Sequence, residues 1–293
     1  MNKVMVIGQQ GQLSRSFKEI LPKSSFEFRM FPKEELDVTD RDQIISAFET
    51  FPADFCINCS AYTAVDKAEE EEEKAFAINS QAVYELGEIC QAQDCLLIHF
   101  STDYVYHNGQ DHPLKEEDPT KPVSAYGRSK REGEKALATI DYPSLIFRVS
   151  WLYAPWGRNF IRTMLDLSKS MEEIKVVFDQ IGTPTYAPSL ANDVLKIISS
   201  KLEDRDNWKT LAGIYNYSPE GVASWYDLAR KTFQFAKIDQ KIVAVTSEEF
   251  PRPAERPFYS VLDKKLLKQT FDIKLPHWEE GLRSCIESLS EQH

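Results

Sequence analysis

The segment Lys3-Val-Met-Val-Ile-Gly-Gln-Gln-Gly-Gln-Leu-Ser14 decides the fold. Residues 3–7 make an apolar run short enough for a buried strand, and from about residue 12 to 21 apolar side chains fall at helical spacing. Gly8 and Gly11 stand between the two. Glycines there permit a tight turn and let the backbone approach a ligand, while the helix N-terminus that follows favours an anion. Strand, glycine turn and helix in this order form a dinucleotide fingerprint, so Gly8 and Gly11 are candidate cofactor contacts. Its third glycine position holds Ser14, small enough to keep helix close to strand.

The same alternation continues outward. Strand patterns at 26–30, 55–58 and 95–100 are separated by helical patterns at 40–50 and 73–93, and a proline-rich loop leads to a helix containing Tyr126. A strand at 144–149 and a strand-helix pair at 174–178 and 190–200 follow. Strands alternating with helices predict an α/β fold: a Rossmann-type doubly wound parallel sheet covered on both faces. Residues 1–150 are expected to form the dinucleotide-binding domain, its sheet completed by 174–200. Beyond Leu211 the pattern is irregular and aromatic, so 151–293 reads as mainly a smaller C-terminal substrate-binding lobe over the sheet's carboxyl edge, where ligands of such sheets bind.

At 293 residues and 42% hydrophobic content the chain can bury a large core. The first residues hold too short an apolar run for a signal peptide, and no run reaches the roughly 18 to 20 residues of a membrane span, so a cytoplasmic location is expected. A net charge of -11 opposes binding to nucleic acid or an anionic membrane. An anionic substrate would need locally placed Arg or Lys. Five cysteines without an export signal fit reduced thiols, and Cys56-Ile-Asn-Cys59 reads as core residues because no second Cys/His pair accompanies it. The histidines show no ligand spacing, and no metal is predicted. The acidic run from Glu69 to Glu73 reads as a solvated helix start favoured by the helix dipole.

Tyr126-Gly-Arg-Ser-Lys130 carries the chemistry. On a helix Tyr126 and Lys130 share one face, and a phenol beside a fixed cation ionises more easily. Such a phenol can give a proton to a carbonyl receiving hydride, and Thr102, in the strand-ending Ser101-Thr102-Asp103, can hydrogen-bond the same oxygen. With 12 tyrosines in the chain, about one Tyr-x-x-x-Lys arises by chance, so the pair needs company.

That company exists. The glycine loop, Ser-Thr-Asp and Tyr-x-x-x-Lys together resemble the extended short-chain dehydrogenase/reductases. Asn58-Cys-Ser-Ala-Tyr-Thr-Ala-Val-Asp-Lys-Ala-Glu69, Ser101-Thr-Asp-Tyr-Val-Tyr106, Arg148-Val-Ser-Trp-Leu-Tyr153, Asp179-Gln-Ile-Gly-Thr-Pro-Thr185, and Arg256-Pro257 with Ser260 and Leu262 narrow the likeness. In order and spacing they are similar to the dTDP-4-dehydrorhamnose reductase family. The resemblance implies hydride delivery from a nicotinamide cofactor to the C4 ketone of a dTDP-linked 4-keto-6-deoxy-L-mannose, giving dTDP-L-rhamnose. It implies Tyr126 as proton donor, Lys130 as the residue that tunes the phenol and holds the nicotinamide ribose, and Thr102 on the ketone oxygen. It places Gly11, Gln12 and Leu13 at the pyrophosphate, Asp37 and Val38 at the adenine, Ala61, Tyr62 and Thr63 along the cofactor, and Asp103 and Trp151 at the sugar.

Several readings stay open. Trp151 fits a sugar face or plain core, Asp37 a cofactor contact or a helix cap, and Arg256 a nucleotide diphosphate or an ion pair. Asn79 reads as a helix residue supporting the site's backbone. No acid ends the second strand while Arg29 and Lys33 lie near it, which favours NADP (as NADPH), with NAD as the alternative and ordinary surface charges as the bland reading. A dehydratase or epimerase is the nearest rival, but where dehydratases of this superfamily carry a Glu after Thr-Asp this chain has Tyr104. A non-catalytic cofactor-binding regulatory subunit is the rival of another class, and the intact Thr102, Tyr126 and Lys130 speak against it. Some relatives dimerise through a metal held by glutamates; Arg15 and Ser16 in the first helix predict a metal-free monomer or weak homodimer.

Overall fold

The computed structural model describes residues 2–106, 109 and 111–291. Five strands precede residue 150: β1 (Lys3–Ile7), β2 (Glu27–Phe31), β3 (Phe55–Asn58), β4 (Leu96–Thr102) and β5 (Ser144–Val149). The longer strands that follow are β6 (Glu173–Val177), β7 (Gly213–Tyr217) and β8 (Lys241–Val245), beside several two-residue strands. The main helices are α1 (Gln12–Ile20), α2 (Arg41–Thr50), α3 (Ala82–Ala92), α4 (Ala125–Ala138), α5 (Phe160–Leu167), α6 (Ala187–Ile197), α7 (Trp225–Ala236) and α8 (Trp278–Ser290).

Six strands form one parallel sheet in the order β7-β5-β4-β3-β1-β2. Successive side chains of β1 enter opposite cores. Val4 and Val6 pack with Phe17 of α1 and Leu190 and Val194 of α6, whereas Met5 and Ile7 meet Ile44 and Phe48 of α2 and Leu86 of α3. A strand buried on both faces has no polar alternate, which is why this run is continuously apolar. The doubly wound α/β expectation is therefore met.

The completion of the sheet is not where the sequence placed it. β6, within the 174–200 segment, pairs with β8 in a separate two-stranded ribbon, and α6 alone of that segment covers the main sheet. The sixth strand is β7, which pairs with β5. β6 reads as a sheet strand because Ile174 and Val176 alternate with exposed or half-exposed neighbours, but one-sided burial suits an outlying ribbon better than a doubly covered sheet.

Local packing places α4. Ser124 caps it, its hydroxyl accepting from the Gly127 N–H, and Glu69 accepts from the Ala125 N–H at 2.8 Å. Glu72 pairs with Arg128 at 2.9 Å, so the acidic run does more than solvate a helix start. The predicted helix at 73–93 is interrupted by a π turn at Ala77–Gln81. Gly133 of α4 packs against that turn so closely that a Cβ would fall 2.2 Å from the Asn79 carbonyl oxygen, and a Cβ on Gly127 would meet the Tyr104 carbonyl at 2.4 Å. Backbone-to-backbone contact on two sides fixes the helix.

Behind α4 lies a buried ion pair. The Arg148 guanidinium on β5 donates to both oxygens of Glu134 at 2.9 and 2.8 Å and to the Tyr106 hydroxyl at 2.8 Å, with Glu134 fully and Arg148 almost fully buried. Removing one partner strands the other without water. Glu134→Ala is expected to cost about 3–5 kcal/mol of unfolding free energy, measured by urea denaturation. A loss below about 1 kcal/mol, the size of a surface pair, contradicts this assignment.

Candidate functional site

Gly8, Ala61, Thr102 with Asp103, and Trp151 lie at or just beyond the carboxyl ends of β1, β3, β4 and β5, beside the point where strand order reverses between β1 and β3, while Asp37 and Val38 follow β2. Gly8 follows β1, and its φ of 90° is left-handed and favours glycine. Gly11 begins α1 with no side-chain cap and no acidic residue in the first turn, leaving that turn's N–H groups and the positive end of the helix for an anion. Ser14 is buried and turns its hydroxyl onto the Gly11 carbonyl, so the departure from glycine is absorbed locally. Gln12 is held from outside: its carbonyl accepts from the Trp156 indole at 3.0 Å and its side-chain oxygen from Asn159 at 2.8 Å. Leu13 is buried in the core under the loop. These features fit a dinucleotide pyrophosphate.

The loop after β3 is clamped to α4. The Asn79 side chain accepts from the Tyr62 N–H at 2.9 Å, donates to the Tyr62 carbonyl at 3.0 Å, and donates to Ser129, whose hydroxyl bonds the Tyr126 carbonyl. Asn79 thus supports the site's backbone, as read from sequence, with Ala61 and Thr63 on either side of the clamp. Val38 is buried beyond β2. Asp37 is not the helix cap. Its carboxylate accepts from the Thr39 N–H and hydroxyl, which hold its pKa down, and Asp40 caps α2 instead. Arg29 lies over the Phe31 ring and 3.5 Å from Glu35, and Lys33 is 3.9 Å from Asp37.

Around the reacting position, Thr102 is buried, and its hydroxyl donates to Asp103 at 3.1 Å and neighbours the Tyr126 phenol. Tyr126 is partly exposed and stacks edge-on with Tyr104 at 5.6 Å. Burial is the main cause that pushes its phenol above the ordinary tyrosine range, with Thr102 opposing and the Asp103 and Tyr104 charges adding. The expectation of an easily ionised phenol is therefore not met. Lys130 is not among the groups that shift the phenol, and its Nζ faces His99 Nε2 at 3.3 Å. Burial lowers Lys130 to about 8, against the attraction of Glu134. A phenol that keeps its proton is a donor, the state needed to protonate a carbonyl.

Asp103 is 2% exposed and its Oδ2 has no hydrogen-bond partner. Burial pushes its carboxyl up to about 7, with the hydroxyls of Ser260 and Thr102 only partly opposing. Trp151 adopts a left-handed backbone at φ 46° and stacks on Trp225 with ring centroids 3.7 Å apart and planes 6° apart. Trp151 is partly buried at the sheet's carboxyl edge and also packs against the cluster of Tyr153, Leu228 and Trp278, so it is in part a core residue. Arg256 pairs with Asp66 at 3.1 Å, the ion-pair reading, and also contacts Tyr104. Cys56 is buried and Cys59 half-buried, and burial pushes both thiols well up, as core residues require.

A model of the RmlD substrate binding domain matches residues 1–291. A dTDP-4-dehydrorhamnose reductase of Aggregatibacter actinomycetemcomitans is 36% identical, the match covering 97% of this chain and 98% of that protein. The chain belongs to the RmlD family. A spore coat polysaccharide biosynthesis protein of Bacillus subtilis, SpsK, is 34% identical over 99% of both chains. The solved dTDP-4-dehydrorhamnose reductase of Bacillus anthracis, in complex with NADP, superposes with a TM-score of 0.91 at 33% identity, covering 98% of this chain and 99% of that one.

Sequence reasoning missed several residues that the structure places beside this candidate site. Asn58 and His99 sit inside strand patterns that look like core, and only their polarity in fully buried positions marks them. Glu134 lies one helical turn beyond Lys130, a spacing that sequence does show. Trp225 has no signal in the sequence.

Asp103 generates a pH-dependent prediction. In the unfolded chain an aspartate titrates near 3.9, roughly, and the fold raises it, so the protonated form is the one the fold favours. Its contribution to stability is complete below about pH 4 and is lost as pH rises through about 7. Asp103→Asn keeps the shape and removes the titration. The variant should exceed wild type in stability above neutral pH by up to about 4 kcal/mol, the gap closing in acid. Urea denaturation across this range checks it, and a pH-independent gap contradicts it.

Proposed function

We propose that the protein is an NADPH-dependent reductase of a dTDP-linked 4-keto-6-deoxy-L-mannose, forming dTDP-L-rhamnose. The observation that carries this reading is the convergence of Thr102, a protonated Tyr126 and a buried Lys130 beside the capless N-terminus of α1. The relatives named above include dTDP-4-dehydrorhamnose reductases, one of them in complex with NADP, which supports both substrate and coenzyme. Arg29 and Lys33 near the end of β2, with no acid ending that strand, support NADPH over NADH, and NADH is the alternative.

The bound nicotinamide supplies the hydride. Gly8, Gly11, Gln12 and Leu13 hold the pyrophosphate, Asp37 and Val38 the adenine end, and Ala61, Tyr62 and Thr63 the middle of the molecule. Lys130 holds the ribose hydroxyls beside the nicotinamide. Tyr126 gives its phenolic proton to the C4 oxygen as that carbon is reduced, and Thr102 hydrogen-bonds the same oxygen. Asp103 offers a carboxylic acid hydrogen to a sugar hydroxyl, and the Trp151 indole covers an apolar sugar face. Arg256 serves the diphosphate by sharing its guanidinium between substrate and Asp66. The active unit is a monomer or weak homodimer. Among the described residues no helix is long and apolar enough to cross a membrane.

Tyr126→Phe removes the proton donor and keeps the ring, so kcat for the nucleotide ketosugar should fall by about 10² to 10⁴, while NADPH affinity changes little. Stopped-flow cofactor oxidation and fluorescence titration of NADPH separate the two. Near-normal turnover in this variant contradicts the assigned role, and cofactor binding by wild type without turnover points to a regulatory subunit. The same titration with NADH should give no tighter binding than with NADPH.

A further inference from the structure

Beneath the catalytic edge three side chains, each 2% exposed or less, form a chain: Asn58 Nδ2 lies 3.3 Å from His99 Nδ1, and His99 Nε2 lies 3.3 Å from Lys130 Nζ. The direction of these contacts is fixed at the Asn58 end. Asn58 Oδ1 accepts from the Ser60 backbone N–H at 3.0 Å and from the Ser60 hydroxyl. A backbone N–H can only donate, so the amide is oriented with Nδ2 toward the ring. Nδ2 has hydrogens and no free lone pair, and His99 Nδ1 must therefore accept. A neutral imidazole then carries its one proton on Nε2, aimed at Lys130.

That last contact is a hydrogen bond only when Lys130 is an amine with a lone pair. An ammonium would set N–H against N–H. His99 cannot escape by taking a second proton, because Nδ1 is already occupied as an acceptor, and burial beside Lys130 keeps the ring's pKa well below the ordinary histidine value. The remaining groups around Lys130 do not dictate its state. Glu134, one turn along α4, favours the ammonium but is already matched by Arg148 at 2.8 Å and Arg131 at 3.3 Å. Tyr126 and Asp103 both favour their neutral acids through burial, and the π turn against α4 presents the neutral Asn79.

We propose that His99 is a positioning residue that ties the charge of Lys130 to the site of its own ring proton. With the amine the proton rests on Nε2 and Asn58 is satisfied; with the ammonium it must rest on Nδ1, and the Asn58 contact is given up. Burial already lowers Lys130 to about 8, so this exchange falls near physiological pH. At pH above the Lys130 midpoint, a ligand that needs the ammonium, as ribose hydroxyls held by Lys130 would, is then bound with uptake of one solvent proton. The inference leans on the proposed function only for this last role of Lys130.

NMR of isotope-labelled histidine and lysine side chains in the ligand-free protein, followed with pH, reads the tautomer and the Lys130 midpoint directly. On the alkaline side of that midpoint the ring proton should sit on Nε2, with the midpoint at or below about 8. Asn58→Ala deletes the directing donor without adding charge. The ring proton should then move to Nδ1, and Lys130 should bind its proton about tenfold more tightly, a rise of about one pH unit in the midpoint. If that change disturbs the Ser60 turn, Asn58→Asp keeps an acceptor for Ser60 and presents an acceptor to the ring, and should move the tautomer the same way. An Nδ1–H ring in alkaline wild type, or a tautomer and midpoint unmoved in both variants, overturns the proposal. None of these readings requires turnover, so a failure to reduce the ketosugar counts against the proposed function alone.

Discussion

The pair between Arg148 on β5 and Glu134 on α4 is the constraint on which the site depends. Burying both charges costs several kcal/mol per ion, a cost offset here by two direct hydrogen bonds and by further partners. Ser101 donates to Glu134, and Tyr106 and the Glu116 carbonyl accept from Arg148. The Tyr106 hydroxyl in turn donates within the same network, toward Asn216 of β7. The network thus joins β4, β5, β7 and α4 at one depth. Because Lys130 and Tyr126 lie one and two turns before Glu134 on the same helix, fixing Glu134 fixes the height and rotation of both.

The electrostatic consequence is a site biased toward neutral groups. Burial raises Asp103 and Tyr126 and lowers Lys130, so each is biased toward its neutral form before any ligand arrives. A reductase needs a proton donor at the carbonyl oxygen, and a protonated phenol meets that need more directly than a phenolate would. Lys130, which the sequence reading placed beside the phenol as a cation, faces His99, and the buried imidazole therefore belongs in any account of how Lys130 acts.

Much of the fold was legible because two periodicities are strong. The apolar run of β1, the glycine turn and the spacing of Leu13 and Phe17 describe a strand and a helix with no competing reading, and Tyr126 and Lys130 announce one helix face. The sheet's sixth strand was not legible. Gly213-Ile-Tyr-Asn-Tyr217 contains a buried Asn216, satisfied by the distant Leu114 carbonyl and Tyr106 hydroxyl, and partners so far off in sequence leave no local trace. β6 misled for the opposite reason, because an edge ribbon and a sheet strand share the same alternation. For the candidate site, residue type and spacing were enough to propose the glycine loop and the Thr102, Tyr126 and Lys130 set. Asn58 and His99 were not, since a polar residue inside a short strand reveals its role only when the partner across the sheet is known.

The central claim is that this edge of the sheet transfers hydride to a ketone carbon and proton to its oxygen in a net reduction. Isotope tracing tests it most directly: NADPH carrying deuterium at the transferable position is incubated with the dTDP-linked ketosugar, and the product sugar is analysed by NMR and mass spectrometry. The account predicts one deuterium at C4 for each cofactor oxidised. Product without deuterium, redox-neutral conversion of the sugar, or cofactor held without any transfer would contradict it.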